Sequence, residues 1–552
     1  MRIADCQTLY EVYNYIKRPH VFIETPISEN SISAEDFNKT VEGILCNLQK
    51  MGMKPGDELI FQIKDNNKFI SIFWACILGK IIPVPYTYLE NEREQSKLLG
   101  VWEKLKNPYL VIDEKSFQRI EQNLDLKVNP ILSVIKKKAL IIEKIERLKG
   151  KIIYEKPDED DIAFIQFSSG STSEPKGVVI THKNIMTSVR ATIKAMKVSE
   201  KDVYLSWLPL THSFGLIGTY LTPLIAECDF YIMPSSLFVG HPLLWLEKIS
   251  EHRVTITASP NFGLKHVCRY IKFNSQIDIN LSSLRIIIDG AEPVSAKVCE
   301  EFIEMMSRYR LKCTAVRPSY GLSEATLVVS TPKGEQKYTE VFVERKHVRV
   351  GEPVIEVEKE NDNTMRFVEV GACLDNIEAK IVDDRGKVLG NRTVGHLLLR
   401  GESIFKGYYN NNQATKVALN SEGWLDTGDL GFFRDENLVL TGREKDVIFV
   451  KGENYYSYDI ENLCSEISGE QFSKVAICAD YSKQEERVIC FVEYQGEKRL
   501  FNDIAKRIKK HILYKVGIGI AEVIPVEKIP VTVSGKLKRY ILLEKYRETV
   551  DS

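Results

Sequence analysis

The sequence has no excess of either charge. Its 75 Lys and Arg face 76 Asp and Glu over 552 residues, a formal net charge of −1. A nucleic-acid binder ordinarily carries a basic surplus, so that class is set aside. Cysteine patterning is missing too. The eleven cysteines are scattered singly between Cys6 and Cys490 with no CxxC pair, which argues for buried thiols in a reducing compartment. The nine histidines never fall into HExxH, so a zinc site of that kind has no support. The most apolar early run, "FISIFWACILGKIIPVPY", is broken by Lys80 and Pro83 and falls short of the roughly 20 residues a membrane span needs. It reads as a buried helix followed by a strand. The N-terminal "MRIADCQTLYEVYNYIKRPH" lacks the apolar core and cleavage site of a signal peptide. A cytoplasmic protein without stable membrane insertion is expected.

What is present is ordinary for a soluble globular chain, 44% hydrophobic and 27% charged. The length exceeds what one core supports, so two or more domains are expected. Up to about residue 330 helical and strand-like patterns alternate. "SAEDFNKTVEGILCNLQKMG" has a capped start, apolar positions at helical spacing and a glycine stop. "DELIFQI", "IIPVPY", "YLVID", "VTITAS" and "LRIIIDG" are short strand-like runs. This alternation predicts an α/β fold with doubly wound, largely parallel sheets. From about residue 375 short strands with tight turns predict an antiparallel or barrel-like subdomain. After Arg443 comes a compact tail mixing helices and strands. The expected division is a large domain at 1–443 and a small C-terminal α+β domain at 444–552. The Lys-rich "VIKKKALIIEKIERLKGK" reads as one solvated helix face.

The stretch "FIQFSSGSTSEPKGVVITHKN" crowds hydroxyls, glycines and a lysine between two apolar runs. Gly170 and Gly177 permit backbone conformations closed to other residues. Exposed amides, the hydroxyls of Ser168, Ser169, Ser171, Thr172 and Ser173, and the charge of Lys176 suit an anion, with phosphate the natural guest. The GxxxxGK[ST] pattern is absent, because the lysine precedes its glycine and no Ser or Thr follows. No GxSxG elbow occurs either, so a nucleophilic serine has little support. A plain surface turn is the alternative on these residues alone.

Four further segments occur in order after this loop: "SYGLSEAT", "GWLDTGDLG", "GREKDVIFVKGENYYSYDIE" and "PVTVSGKLKR". Together the five resemble the core motifs of the adenylate-forming superfamily, which includes acyl-CoA synthetases, peptide-synthetase adenylation domains and luciferases. The resemblance runs from about residue 30 to 545. It implies ATP and Mg²⁺ as cofactors and activation of a carboxylic acid as an acyl adenylate. It also implies that the hydroxyl-rich loop grips the outer phosphates with Thr172 near the metal, and that Glu324 holds Mg²⁺. Tyr320, within Ser319, Gly321, Leu322 and Ser323, would offer a face to adenine. The turn Gly290, Ala291, Glu292 and Pro293 would meet the adenine edge. Asp429 would take the ribose hydroxyls with Arg443 nearby, and Lys536 would reach both the α-phosphate and the substrate carboxylate. His212 is a further catalytic candidate. Lys445 falls at the family's hinge, which makes the small domain mobile. Each position has a plainer reading alone: Asp429 as a turn cap, Glu324 as a first-turn helix acid, Lys536 as a surface lysine.

Between the core motifs, "WLPLTHSFGLIGTYLTPL", "SPNFGLKHVCRYI" and "LRIIIDGAEPVSAKV" look most like the fatty-acyl-AMP ligase branch. Ser213, Phe214 and Ser259 depart from that branch's pattern, and Asp289 stands where it usually has asparagine. Phe214, Gly218, Trp245, Asn261 and Phe262 are the expected pocket residues. Some 45 residues separate Glu324 from "VGACLDNIEAKIVDD", more than CoA synthetases have. The alternating Val and Phe positions of this excess suggest strands packed on the large domain. In that branch such an insertion hinders the domain movement that CoA use requires. No carrier domain follows Lys536 before the last residue, Ser552, so an acyl or peptidyl carrier protein acting in trans is the expected acceptor. A CoA ligase, an enzyme for an aryl or amino acid, and an ATP-binding regulator without turnover are the alternatives. Asp289 is the candidate partner for an ammonium if the acid is an amino acid.

Overall fold

A computed structural model describes residues 3–88, 92–123, 131–145, 150–168, 175–273, 277–450, 453–468, 472, 474–481, 487–531 and 537–551. The fold is α/β, with a large N-terminal part built on several sheets and a smaller C-terminal domain. One sheet of the large part runs in the order Val316–Pro318, Ile286–Asp289, Ile256–Ala258, Val203–Ser206, Asp229–Ile232, His20–Thr25, Ser28–Ile32. Its pairs are parallel except for the last, a hairpin. A second, parallel sheet joins Ile82–Pro85, Glu58–Gln62, Tyr109–Ile112 and Ala139–Ile141.

Local sequence accounts for the helices between them. In Ala34–Lys50 the Ser33 hydroxyl accepts the Asp36 amide, and Phe37, Val41, Ile44, Leu45 and Leu48 bury one stripe. Asp65 caps Asn66–Leu78 in the same way. That helix is apolar all round because it is buried all round, from Phe69 to Leu78. The Lys-rich stretch is not one helix. Its helix stops at Lys138, and Ala139–Ile141 turns into an edge strand pairing with Tyr109–Ile112. Backbone pairing at an open sheet edge outweighs the helical pattern there.

The antiparallel section begins earlier than expected, at Tyr320. Its strands order as Tyr320–Gly321, Val328–Thr331, Thr364–Cys373, Asn437–Arg443, Leu425–Arg434, Gly395–Gly401, Ile377–Val382. The insertion adds Glu340–Glu344 beside Thr364–Cys373, with Glu356–Val357 outside it. Val341 and Val343 bury against Leu430, Phe432, Val439 and Tyr456. The inserted strands therefore share a core with the sheet and with Tyr456, at the end of the strand Glu453–Tyr456. That domain has its own three-stranded sheet, Val475–Asp480, Arg487–Glu493 and Glu522–Val526, and a separate core around Ile460, Ile477 and Ile508. Asp362 of the insertion pairs with Lys515, and Arg345 with Asp459. Among the described residues no helix is long and apolar enough to cross a membrane.

Candidate active site

The hydroxyl-rich loop joins the antiparallel strands Ile162–Ser168 and Lys176–Thr181. Ser169, Gly170, Ser171, Thr172 and Ser173, and the side chain of Ser168, lie outside the described residues, as does Lys536. Gly177 leaves room that a Cβ would not: one there would stand 2.9 Å from Ile165 Cγ2. Thr181 then starts the helix His182–Met196 with a reciprocal cap from Asn184.

A strap at 403–409 ties this hairpin to Glu324. The amide of Tyr409 donates to the Gly177 carbonyl at 2.7 Å, and that of Val179 to Gly407 at 3.2 Å. The Phe405 amide donates to the Glu324 carbonyl at 2.8 Å. Glu324 sits in the single 3₁₀ turn Ser323–Ala325, which packs against the strand Lys176–Thr181. The Tyr408 hydroxyl donates to Glu324 Oε1 at 2.9 Å, and the Lys176 ammonium lies 5.0 Å from the Tyr408 ring centre. The Glu324 carboxylate, beside the hairpin that carries the hydroxyl-rich loop, is the oxygen-donor type that a hard cation such as Mg²⁺ prefers.

On the large antiparallel sheet Asp429 and Arg443 face each other across neighbouring strands. The Arg443 guanidinium reaches Asp429 Oδ1 at 3.0 Å, and the Tyr320 hydroxyl donates to Oδ2 at 2.6 Å. Asp429 is buried, while Arg443 is half-exposed. Burial, followed by the Asp429 charge, pushes the Tyr320 phenol up, so it stays a donor. Tyr320 is thus held through its hydroxyl. Around it, Gly321 approaches Leu327 so closely that a Cβ would meet that carbonyl, and the Leu322 amide bonds it at 3.1 Å. Ser323 Oγ lies 3.5 Å from Ser213 Oγ, and Ser319 Oγ 3.0 Å from Thr331 Oγ1.

The turn after Ile286–Asp289 serves two sides. Gly290 packs on the Ser319 carbonyl, where a Cβ would come within 2.6 Å. Ala291 holds φ +69°, a left-handed conformation that costs a non-glycine residue energy. Glu292 accepts the Phe262 amide at 2.6 Å, and Pro293 completes the turn. Ala291 also forms part of a small apolar pocket lined by Trp207, Leu208, Pro209, His212, Phe214, Gly215, Pro260 and Phe262. Trp207 stacks on Phe238 at 3.8 Å between centroids and meets Phe262 edge-on at 5.7 Å. The segment Phe214–Leu221 is a π-helix, a form common at functional sites. Gly215 passes so close to the Pro209 carbonyl that a Cβ would stand 2.3 Å away.

Of the expected pocket residues, Phe214 and Phe262 line the wall and three others do not. Trp245 is fully buried behind Phe238 and donates to Thr257 Oγ1 at 3.2 Å. Gly218 packs against the Leu327 side chain. Asn261 accepts the Ser295 amide at 2.7 Å and donates to Asp289 Oδ2. Asp289 also accepts from the Cys299 thiol at 3.2 Å, and its Oδ1 is buried without a partner. Its side chain is no part of the pocket wall, so an ammonium there would not meet it. Burial pushes its carboxyl up to about 7. Two residues were missed. Trp207 opens the quoted "WLPLTHSFG" run and was readable as an aromatic beside the histidine, whereas Tyr408 had no signal. Lys445 is exposed in the short turn Glu444–Asp446, between the last strand of the large sheet and the hairpin Val447–Tyr456.

A sequence profile described as AMP-binding enzyme matches residues 14–409. A medium-chain-fatty-acid–[acyl-carrier-protein] ligase, JamA of Moorena producens (strain JHB), is 28% identical over 97% of this chain and 93% of its own. A structure from a study of fatty acyl-adenylate ligases of E. coli and L. pneumophila superposes with a TM-score of 0.89 at 26% identity, covering 100% of both chains. The McyG A-PCP structure, complexed with phenylalanyl-adenylate, superposes with a TM-score of 0.86 at 29% identity, over 98% of this chain and 83% of that one.

Proposed function

The chain belongs to the AMP-binding enzyme family, and we propose that it is an acyl-AMP ligase. In this reading it activates a fatty acid with ATP to acyl adenylate and pyrophosphate, then passes the acyl group to the phosphopantetheine thiol of a carrier protein. The observation that carries it is the double use of one turn. Gly290 backs onto Ser319 beside Tyr320 and Asp429, while Ala291 walls the apolar pocket. Nucleoside and acid would therefore meet at adjacent residues, which is what adenylation needs. The carboxylate oxygen attacks the α-phosphorus, and the bond to the pyrophosphate oxygen breaks. In the second step the thiol sulfur attacks the acyl carbon, and AMP leaves.

Asp429, Arg443 and Tyr320 would hold the ribose and base, and Lys176 with the loop hydroxyls the outer phosphates. Glu324 would hold Mg²⁺, which supplies positive charge to the phosphate oxygens when bound. Lys536, from the small domain, would place its charge where the α-phosphate and the carboxylate meet. The domain boundary falls after Arg443, giving 1–443 and 444–552 with Lys445 as the pivot. The pocket wall offers aromatic and aliphatic surface and no carboxylate, which favours a fatty over an amino acid. The packed insertion, touching Lys515 and Asp459, favours a carrier protein over free CoA.

Carboxylate-dependent ATP–pyrophosphate exchange across aliphatic, aryl and amino acids tests the first step. Exchange is expected with aliphatic acids. If none of these acids supports it, adenylation is refuted, and exchange with amino acids alone refutes the fatty-acid reading. The second step is read by supplying holo carrier protein or CoA to preformed adenylate.

A further inference from the structure

Two charges that the proposed function assigns to ATP and its metal meet at one side chain. Tyr408 gives its hydroxyl to Glu324 Oε1 and the face of its ring to the Lys176 ammonium. Among the described residues Lys176 makes no ion pair. We propose that Tyr408 is a positioning residue that keeps this lysine and this glutamate apart, so that each stays available to its own ligand.

The physical need is plain. A lysine and a glutamate on adjoining elements of a half-buried site attract each other strongly, because the protein screens charge less than water does. A direct pair would fill the site with itself, and both phosphate and metal would have to break it. The ring solves this in two ways. Its face attracts a cation without neutralising it. Its hydroxyl donates to one carboxylate oxygen, which orients the group and leaves the other oxygen for a metal. The ring is itself well fixed. Phe405 meets it edge-on at 4.9 Å between centroids. The Tyr408 amide donates to Thr415 Oγ1 at 2.9 Å, and its backbone bridges to Val178. Gly407 before it holds φ +137°, and a Cβ there would stand 2.6 Å from Thr415 Cγ2. A packed backbone on both sides leaves the phenol little freedom.

This inference rests on the roles proposed for Glu324 and Lys176, so the experiment separates the two. Binding of a non-hydrolysable ATP analogue is measured by calorimetry over a range of Mg²⁺ concentrations, with a melting curve for each variant. Tyr408→Phe keeps the ring and loses the hydroxyl. It should raise the Mg²⁺ needed for half-maximal tight binding roughly tenfold, the loss of one hydrogen bond to a charged group, while binding without Mg²⁺ is unchanged. Tyr408→Leu should weaken binding both with and without Mg²⁺, because the lysine then pairs with the glutamate. Adding Lys176→Ala to Tyr408→Leu should bring the Mg²⁺ midpoint back toward that of the parent. Glu324→Gln is the control. If it shifts the Mg²⁺ midpoint and Tyr408→Phe does not, the positioning role is wrong while the metal role stands. If Glu324→Gln shifts nothing, the metal role fails and the inference falls with it. A Tyr408→Phe protein that melts lower and binds equally worse at every Mg²⁺ level also overturns it, since that is a purely structural effect.

Discussion

Asp289→Asn should stabilise the protein at alkaline pH and do almost nothing at acid pH. The carboxyl is wholly buried, and burial lifts it from an ordinary value near 3.8 to about 7. A gap of about 3 units corresponds to about 4 kcal/mol at 1.36 kcal/mol per unit. The sign follows from proton counting. In the folded state Asp289 keeps its proton up to about pH 7, whereas in the unfolded chain it loses it near pH 4. Below pH 4 both states hold the proton and this group costs nothing. Between about pH 4 and 7 the folded state binds more protons, so stability falls as pH rises; above 7 the full penalty is in place. Asparagine never ionises. Its carbonyl oxygen can accept from Asn261 Nδ2 and the Cys299 thiol as Asp289 Oδ2 now does, and its amide takes the place of Oδ1, which has no partner today. The gain over the parent should grow from near zero at pH 4 to as much as about 4 kcal/mol at pH 8. Urea unfolding of both proteins between pH 4.5 and 8.5, followed by tryptophan fluorescence, reads the difference directly, since other titrating groups cancel. A difference that stays constant with pH would refute the buried-acid reasoning. Exchange activity should survive, because the side chain lies outside the pocket wall.

Lys536→Ala should leave the melting temperature in place and cut pyrophosphate exchange on the order of 10²-fold, about 3 kcal/mol of lost charge stabilisation; near-parent exchange would remove Lys536 from catalysis. Lys445→Pro fixes φ near −65° at the proposed pivot and should spare exchange while blocking transfer to the carrier, so equal survival of both half-reactions would misplace the pivot. Trp207→Ala removes the indole stacked on Phe238 and should shift the preferred acid toward longer chains, read by exchange across a chain-length series; an unmoved optimum would show that the indole does not end the pocket. Arg345→Ala cuts one link between insertion and small domain and should raise acyl-CoA formation relative to carrier loading, whereas an unchanged ratio would show that this link does not decide the acceptor.

The Asp429–Arg443 pairing was legible because both residues lie on one hairpin, a short stretch of chain, and pair in register. The helices of the large part were legible for the same local reason, as caps and apolar stripes are written in consecutive residues. The pocket was not. Trp207 and Trp245 are equally apolar in sequence, and only tertiary packing puts one in the wall and the other behind Phe238. Tyr408 was beyond reach, since the glutamate it serves lies 84 positions away. The Lys-rich run misled because an edge strand interrupts its helical pattern, and the partner that makes it a strand lies elsewhere in the chain.

Tyr456 stands eleven positions beyond Lys445 by number, yet its ring belongs to the core made by the inserted strands and the large sheet, and its hydroxyl lies 3.4 Å from the Val348 carbonyl. Were the small domain to rotate about Lys445 as proposed, that ring would first have to leave the core. Tyr458 lies against the same core and would be drawn with it. An aromatic side chain buries on the order of 150–250 Å², and uncovering one at roughly 25 cal/mol per Å² amounts to several kcal/mol. The proposed domain alternation would then carry an energetic threshold. The time spent between the two proposed half-reactions would be set by the unpacking of a tyrosine, and would lengthen or shorten with whatever tightens or loosens that small core.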